Sequence, residues 1–442
     1  MRQQTVKRIS ITTIVLWAGA LALAQAPEAT SHPSSPVPVQ LPVEQLNYLG
    51  GDAAMPLFSD SVLGVDSAFR KELFRRGMAL RFINQYQYIQ NVLDSPASAH
   101  DQVYVGHREF EQVIVQPILT ADLHQLHLKQ AQLYVGGVWN WVSWNPGGPK
   151  TVQLWDMYFY KAFGEDRVEA KAGYVSSGMD FIGFFTGGST ANGAQGVYAI
   201  LPFEAGMPYF GLTTPALIVK ARLSRNAYFK AAAQRSLDPN GGPNEVARNH
   251  TGFRFLPRGD KLLSINEGGF RRPPSTNVHQ AWFRAGYMYN TTGYMNAKTG
   301  RRESGNYCAY ALMDYQLKQT DSAHPYRGYY VGGSAMGVPE TLNPYARYYE
   351  ARVYRLAPFR NRPGDSTSLV ASHTGYSKYF TNDLVRAGKT VWRSETTLTG
   401  SYSLHLSPGN YLDVGLGYAY GPAISPRVDN ALKVEVIWTL FF

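Results

Sequence analysis

Glu169 with Lys171, and Arg393 with Glu395, place an acid and a base two residues apart in stretches that alternate with more apolar positions. Residues i and i+2 of a strand share a face, so each pair projects two opposite charges to one side. Arg284 repeats the theme singly, between Trp282 and Gly286, on the more polar parity of Ala281 to Tyr289. Such groups pair with one another or hydrogen-bond a polar solute. They are not arranged for nucleophilic attack: the chain has ten His, no Gly-x-Ser-x-Gly elbow and no His-Glu-x-x-His pair. An enzyme is therefore not expected, and neither is a cofactor or a metal.

The elements that must carry these charges are strands. The chain ends A-L-K-V-E-V-I-W-T-L-F-F. Counting back from Phe442 in twos gives Leu440, Trp438, Val436, Val434 and Leu432, all apolar; the other parity, Phe441 to Lys433, is mixed and holds Glu435. A membrane barrel turns the apolar parity to lipid and the polar one to a wet lumen, because Arg facing lipid at the midplane would cost about 2–4 kcal/mol. The same period of two begins at Met78, Leu80 and Phe82, set against Ala79, Arg81 and Ile83. Residues 151–175 read as a hairpin turning at Gly164-Glu165-Asp166. Towards the end, Trp392, Thr396, Leu398, Tyr402, Leu404 and Leu406 oppose Arg393, Glu395, Thr397, Thr399, Ser401, Ser403 and His405. Ser407-Pro408-Gly409-Asn410 turns the chain into Leu412, Val414, Leu416, Tyr418 and Tyr420, and places His405 near the periplasmic rim. The predicted fold is all-β: a transmembrane, antiparallel, up-and-down outer-membrane β-barrel. At roughly ten residues per crossing, sixteen strands fit best, with fourteen and eighteen as alternatives.

Composition agrees. No run of about 18 apolar residues follows the first 26, so no transmembrane helix is expected. The 30 Tyr, 21 Phe and 8 Trp suit girdles at the two membrane interfaces. Cys308 is the sole cysteine, so no intramolecular disulfide can brace the fold. The net charge of +10 includes Arg2, Lys7 and Arg8, and the remaining bases are scattered, which argues against nucleic acid. Residues 1–24 read as a secretory leader, cut after Ala24 or Ala26. Residues 25–65 are expected to be a periplasmic, partly disordered arm, 66–76 a short helix and 77–442 the barrel. Gly178 to Gly196, Leu237 to Asn249, Tyr289 to Asn306 and Pro358 to Ser368 are candidate outer loops.

From Ser67 to Phe442 the chain resembles the carbohydrate-selective porins of the OprB type. The likeness is carried by Phe69-Arg70-Lys71-Glu72-Leu73 through Arg76-Gly77-Met78, by Glu169-Ala170-Lys171-Ala172-Gly173, and by Asn266-Glu267-Gly268-Gly269-Phe270. Tyr349 to Leu356 leads on to Pro358-Phe359 and Arg362-Pro363-Gly364-Asp365, and Glu395 through Tyr402 to Phe442 includes Gly421-Pro422. A Gly-rich opening usual in the family has no clear match, and the loop from Gly178 to Gly206 is unusual. The resemblance implies a sixteen-stranded monomeric barrel passing monosaccharides such as glucose into the periplasm. It also adds Glu267 and Arg362 to the pore-lining candidates, although the strand around Glu267 shows conflicting parity.

A sugar offers hydroxyls and apolar C–H faces, so charged or amide groups beside aromatic walls would hold it, weakly enough to let it leave. Expected partners are small sugars, outer-membrane lipid and lipopolysaccharide, and the barrel-assembly machinery acting on Phe442. The alternatives are an anion- or phosphate-preferring porin, suggested by the basic strands, an outer-membrane barrel enzyme, and a structural barrel. The stretch before Gly77 is too short for the plug domain of an energised receptor.

Overall fold

The computed structural model describes residues 42–52, 55–93, 102–144, 150–183, 200–209 and 211–442. The expected leader and the first part of the arm lie outside them. In chain order the strands are β1 (Met78–Asn91), β2 (Phe110–Asp122), β3 (Ala131–Val142), β4 (Thr151–Phe163), β5 (Val168–Val175), β6 (Thr214–Arg222), β7 (Ala227–Arg235), β8 (Leu262–Arg272) and β9 (Ala281–Asn290). There follow β10 (Tyr294–Met295), β11 (Arg302–Glu303), β12 (Asn306–Gln319), β13 (Gly328–Gly337), β14 (Tyr345–Leu356), β15 (Ser366–Tyr376), β16 (Ser394–Ser407), β17 (Asn410–Tyr420) and β18 (Ala431–Phe441). All except β10 and β11, which form a small ladder of their own, join one closed ring of sixteen antiparallel strands. The count of fourteen or eighteen is thereby excluded.

Closure is made by β1 against β18, with Ile83 opposite Phe441, Tyr86 opposite Trp438 and Asn91 opposite Lys433. The last residue extends this ladder: Phe442 N donates to Phe82 O at 2.8 Å and Phe82 N to Phe442 O at 3.2 Å. Along β18 the alternation is as expected. Lys433, Glu435, Ile437, Thr439 and Phe441 are buried on the inner face, while Trp438 stands exposed on the outer one. Tyr287, Tyr289, Tyr307, Tyr418 and Tyr420 stand outward at one end of the wall and Trp438 near the other, its Nε1 donating to Asn410 Oδ1 at 2.8 Å.

The two rims differ. Connections such as 164–167, 223–226 and 408–409 are tight, whereas 176–213 and 236–261 at the opposite rim are long. Short turns belong to the periplasmic side and long loops to the exterior. Leu237 to Asn249 and Tyr289 to Asn306 fall on the exterior side, as do residues 178–183 of Gly178 to Gly196, whose remaining residues lie outside those described. Pro358 to Ser368 does not: it joins β14 to β15 at the tight-turn rim. Its Pro/Gly-rich composition marks a break in the strands, but only counting crossings tells which rim it occupies.

The helix Ala68–Arg75 is capped by Ser67 and leads into β1. Its buried Arg70 turns back on the preceding segment, Nη1 donating to Ser61 Oγ and Gly64 O, each at 2.5 Å. That segment is the described part of the expected arm. Residues 42–52 and 55–64 are packed into the barrel mouth, with Val43, Leu46 and Phe58 buried against Ala79. The segment's large apolar residues, fewer in the Pro/Ser-rich stretch before it, supply the docking contacts.

Facing decides what each wall position tolerates. Val434→Arg, towards lipid, should lower barrel stability by about 2–4 kcal/mol in urea unfolding from lipid vesicles. Ser401→Arg, towards the lumen, should cost far less in the same assay.

Candidate permeation path

A ring of sixteen strands is too wide for its own side chains to fill, so what folds inward decides what space remains. The β5–β6 connection is one such insertion. Its short helices Gly178–Phe181 and Ile200–Glu204 bring Phe181, Ile182, Ile200, Leu201 and Met207 into a buried cluster with Val138, Ile265 and Met288 of the wall. Arg284 on β9 pins the first part: Nη1 donates to Phe181 O at 2.6 Å and Nη2 to Ile182 O at 2.9 Å. Its guanidinium lies 3.9 Å from the centre of the Trp282 ring. Asn290 Nδ2 donates to Ala205 O at 2.7 Å, and on the far wall Tyr345 N donates to Glu204 Oε2 at 3.4 Å. Gly206 has φ +101°, and a Cβ there would stand 2.2 Å from Asn290 Nδ2. Only glycine lets the loop approach the wall so closely.

The N-terminal segment is the second insertion. Tyr48 sits edge-on to Tyr134 at 5.4 Å, and Tyr134 stacks on Tyr158 at 4.9 Å. Lys171 reaches between these groups, its Nζ 2.6 Å from Asp180 Oδ1 and 3.3 Å from Tyr48 Oη, over the Tyr158 ring at 4.5 Å. Farther along, Asp52 takes Lys220 at 3.2 Å and Lys230 as partners. Burial pushes the Asp52 carboxyl up, but the lysines outweigh it and hold it well below the usual range. Asp60 sits 3.0 Å from His405 Nε2, accepts from Gly409 N at 3.0 Å and from the Tyr411 hydroxyl. There too burial raises the pKa, and the hydrogen bonds from His405, Tyr411 and Gly409 more than reverse it.

With the β2–β9 side so occupied, the wall from β12 round to β1 carries the remaining inward polar surface. On β12 and β14, Arg352 Nη2 pairs with Asp314 Oδ2 at 2.7 Å, and Nη1 with Glu350. The Tyr354 hydroxyl donates to Asp314 Oδ1 at 3.0 Å and that of Tyr348 to Glu350 Oε2 at 2.6 Å. Tyr354 in turn stacks on Tyr330 at 4.9 Å. Next come rows of hydroxyls: Ser368 with Ser401 at 2.8 Å and Ser372 with Thr397 at 2.7 Å. Gly415 and Gly417 of β17 lie opposite Glu435 and Lys433 of β18, and Gln87 Nε2 donates to Glu435 Oε1 at 2.5 Å.

The seven predicted site residues do not meet at one point. Glu395 is buried on the inner face of β16, as expected. Arg393 is not its companion: it precedes the strand, is exposed, and bonds Thr381 of the helix Lys378–Arg386. Strand parity was extended past the strand's start, and the loop turns the side chain elsewhere. Lys171 and Arg284 point inward but hold the two insertions. Glu169 is half-buried near the periplasmic rim, in register with Lys220. Glu267 does face the lumen, accepting from the hydroxyls of Tyr228 and Tyr310 at 2.9 Å each. Its parity was obscured by Gly268 and Gly269, which have no side chain to reveal a face. Arg362 lies in the β14–β15 turn, 3.2 Å from Asp365 Oδ1, so it braces the periplasmic rim. The Asp314–Arg352–Glu350 group was missed, although Tyr348, Glu350, Arg352 and Tyr354 show the same two-residue spacing used to select the other pairs.

The profile of the carbohydrate-selective porin, OprB family, matches residues 136–437. Among solved structures, the chain is similar to the high-pH structure of Pseudomonas putida OprB. The TM-score is 0.72 and the identity 15%, over 87% of this chain and 98% of that one. The low-pH structure of the same protein gives 0.54 and 13% identity, over 87% of this chain and 99% of that one. No curated protein sequence matches the chain.

A carboxyl held below its usual pKa contributes fully above its unfolded value of about 3.9, and the contribution is lost as pH falls through the lower folded value. Asp52 and Asp60 should thus keep the N-terminal segment docked from neutral pH downward and release it only below about pH 4. A spin label on Ser59→Cys checks this by its mobility, since the natural Cys308 is buried.

Proposed function

The chain belongs to the carbohydrate-selective porin, OprB family, and is a carbohydrate-diffusing channel of the outer membrane; on that premise we propose that it passes monosaccharide-sized sugars along the β12–β1 side of its lumen. The observation that carries this reading is the inward wall itself. A charged and aromatic group, Asp314–Arg352–Glu350 with Tyr330, Tyr348 and Tyr354, adjoins the hydroxyl rows of β15 and β16 and the acids Glu395 and Glu435. Charged donors and acceptors take sugar hydroxyls, tyrosine faces take the C–H faces, and the small residues of β17 leave room beside them. Among the seven original candidates, Glu395 is retained as a sugar contact and Glu267 as a second, farther along the wall. Lys171 and Arg284 act by holding the insertions that narrow the lumen, Glu169 and Arg362 sit towards the periplasmic rim, and Arg393 belongs to the external surface.

The pairing of inward cations supports sugar over the anion-preferring alternative. Lys171, Lys230 and Arg352 each have a carboxylate within ion-pair distance. Fixed opposite charges give a neutral, hydroxyl-bearing solute directed partners without a net field that would select phosphate. The same reading takes Met1 to Ala24 as the leader, Phe442 as the residue engaged during barrel assembly, lipopolysaccharide as a neighbour and the monomer as the working unit.

Purified protein in a planar bilayer should show current that glucose reduces saturably, and liposomes containing it should swell in glucose. Arg352→Ala should weaken that sugar block by roughly ten- to a hundredfold, the loss of one charge-assisted hydrogen bond of about 1.5–3 kcal/mol. Anion-selective reversal potentials with current indifferent to sugar would instead support the phosphate-type channel.

A further inference from the structure

We propose that the described residues 55–60, with Asp52 before them, form a crossbar over the periplasmic mouth, latched by the carboxylates of Asp52 and Asp60, and that it sets the size of solute able to leave the channel. The proposal rests on the channel reading and adds an exit filter to it.

The two latches lie on opposite walls. Asp52 binds Lys220 of β6 and Lys230 of β7. Asp60 binds His405 of β16 and, on β17, the Tyr411 hydroxyl, with Gly409 N of the adjoining turn. Round the ring, the β6–β7 pair and the β16–β17 pair are eight strands apart in either direction. At about 4.8 Å per strand, the backbone arc between them is about 38 Å. The chain from Asp52 to Asp60, fully extended, reaches only about 26–29 Å. It is too short to follow the strands' backbone, so the described residues 55–60 run inward of the wall.

Side-chain contacts agree with that inward path. Arg81 extends inward from β1 to reach the segment, Nη1 donating to Pro56 O at 2.7 Å, with its guanidinium 4.4 Å from the centre of the Phe58 ring. Glu44, one helical turn into the described arm, ties the bar back by accepting from Phe58 N at 3.0 Å and Ser59 N at 3.2 Å. Beyond Asp60, Val62 N donates to Phe441 O at 2.8 Å, fixing the far end to the closing strand.

The bar divides the mouth unequally. On its β1–β5 side, residues 46–49 are hydrogen-bonded to the wall through Thr120, Gln132 and Tyr158, and Tyr48 packs edge-on against the stacked Tyr134 and Tyr158. The β8–β15 side is where the Asp314–Arg352–Glu350 group and the hydroxyl rows stand. A solute following that wall meets the bar as the boundary of its way out. Both latches are ion or charge-assisted contacts with depressed carboxyl pKa values, so at neutral pH the bar is a fixed fitting.

The test measures potassium chloride current through single channels in planar bilayers, together with trisaccharide swelling of liposomes. The double variant Asp52→Asn with Asp60→Asn should raise conductance and speed trisaccharide entry relative to the parent. Heat-modifiable migration in gels confirms that the variant barrel is closed. Parent-like conductance and swelling in a closed variant would overturn the proposal. Independently, Ser59→Cys places a single reactive thiol on the intact bar, and attaching a bulky maleimide there should lower the current. A labelled channel with unchanged current would also overturn it. Because salt current is read, a channel that conducts but ignores sugar defeats the sugar reading while leaving the crossbar test valid.

Discussion

Within hydrocarbon no water is present to take an unpaired backbone N–H or C=O, and this requirement shapes everything else in the molecule. An open sheet would leave two unpaired edges, so β1 and β18 must find each other, and the start of β1 and the end of β18 are brought to one rim. The pairing of Phe82 with Phe442 shows how completely the last residue is used. Closure dictates the alternation of every strand, since one face of a closed ring meets lipid and the other meets the lumen. It also explains why charge is tolerated in the wall at all. Glu395, Glu435 and Lys433 sit on spanning strands because the inner face is not lipid.

A closed ring of this size creates a second problem, which the insertions solve. The β5–β6 connection and the N-terminal segment fill one side of the lumen with a hydrophobic cluster and a tyrosine cage, leaving polar surface concentrated on the other. The buried cations that meet them are matched by carboxylates or carbonyls. Such pairs are weak evidence for stability, because desolvation offsets much of their attraction. Their use here is positional: Arg284 and Asn290 hold a loop, Lys171 joins the two insertions, and Asp52 with Asp60 fastens a segment across a gap. Passage is thus shaped by parts of the chain outside the strands, mounted on a frame that the strands make rigid.

Much of the frame was legible in the sequence. The terminal strand, the hairpin at 151–175, the closing meander and the count of sixteen follow from local alternation and length, because a strand's facing depends only on its own period of two. The same logic found Glu395, Lys171 and Arg284 on the inner face and overlooked Glu350 and Arg352, which obey it equally well. It failed where alternation ends or has no side chains to read. Arg393 lies beyond the start of β16, and Glu267 is followed by two glycines.

The amino-acid sequence alone determined that this chain forms a closed, lipid-facing ring with a polar interior, because lipid outside and water within impose a pattern on each strand separately. Which inward charges would be occupied, which rim a loop would reach and where the N-terminal segment would lie were decided only by the tertiary structure. Those outcomes depend on partners far apart in sequence, such as Asp60 with His405, and on the width of the ring that the segment must span.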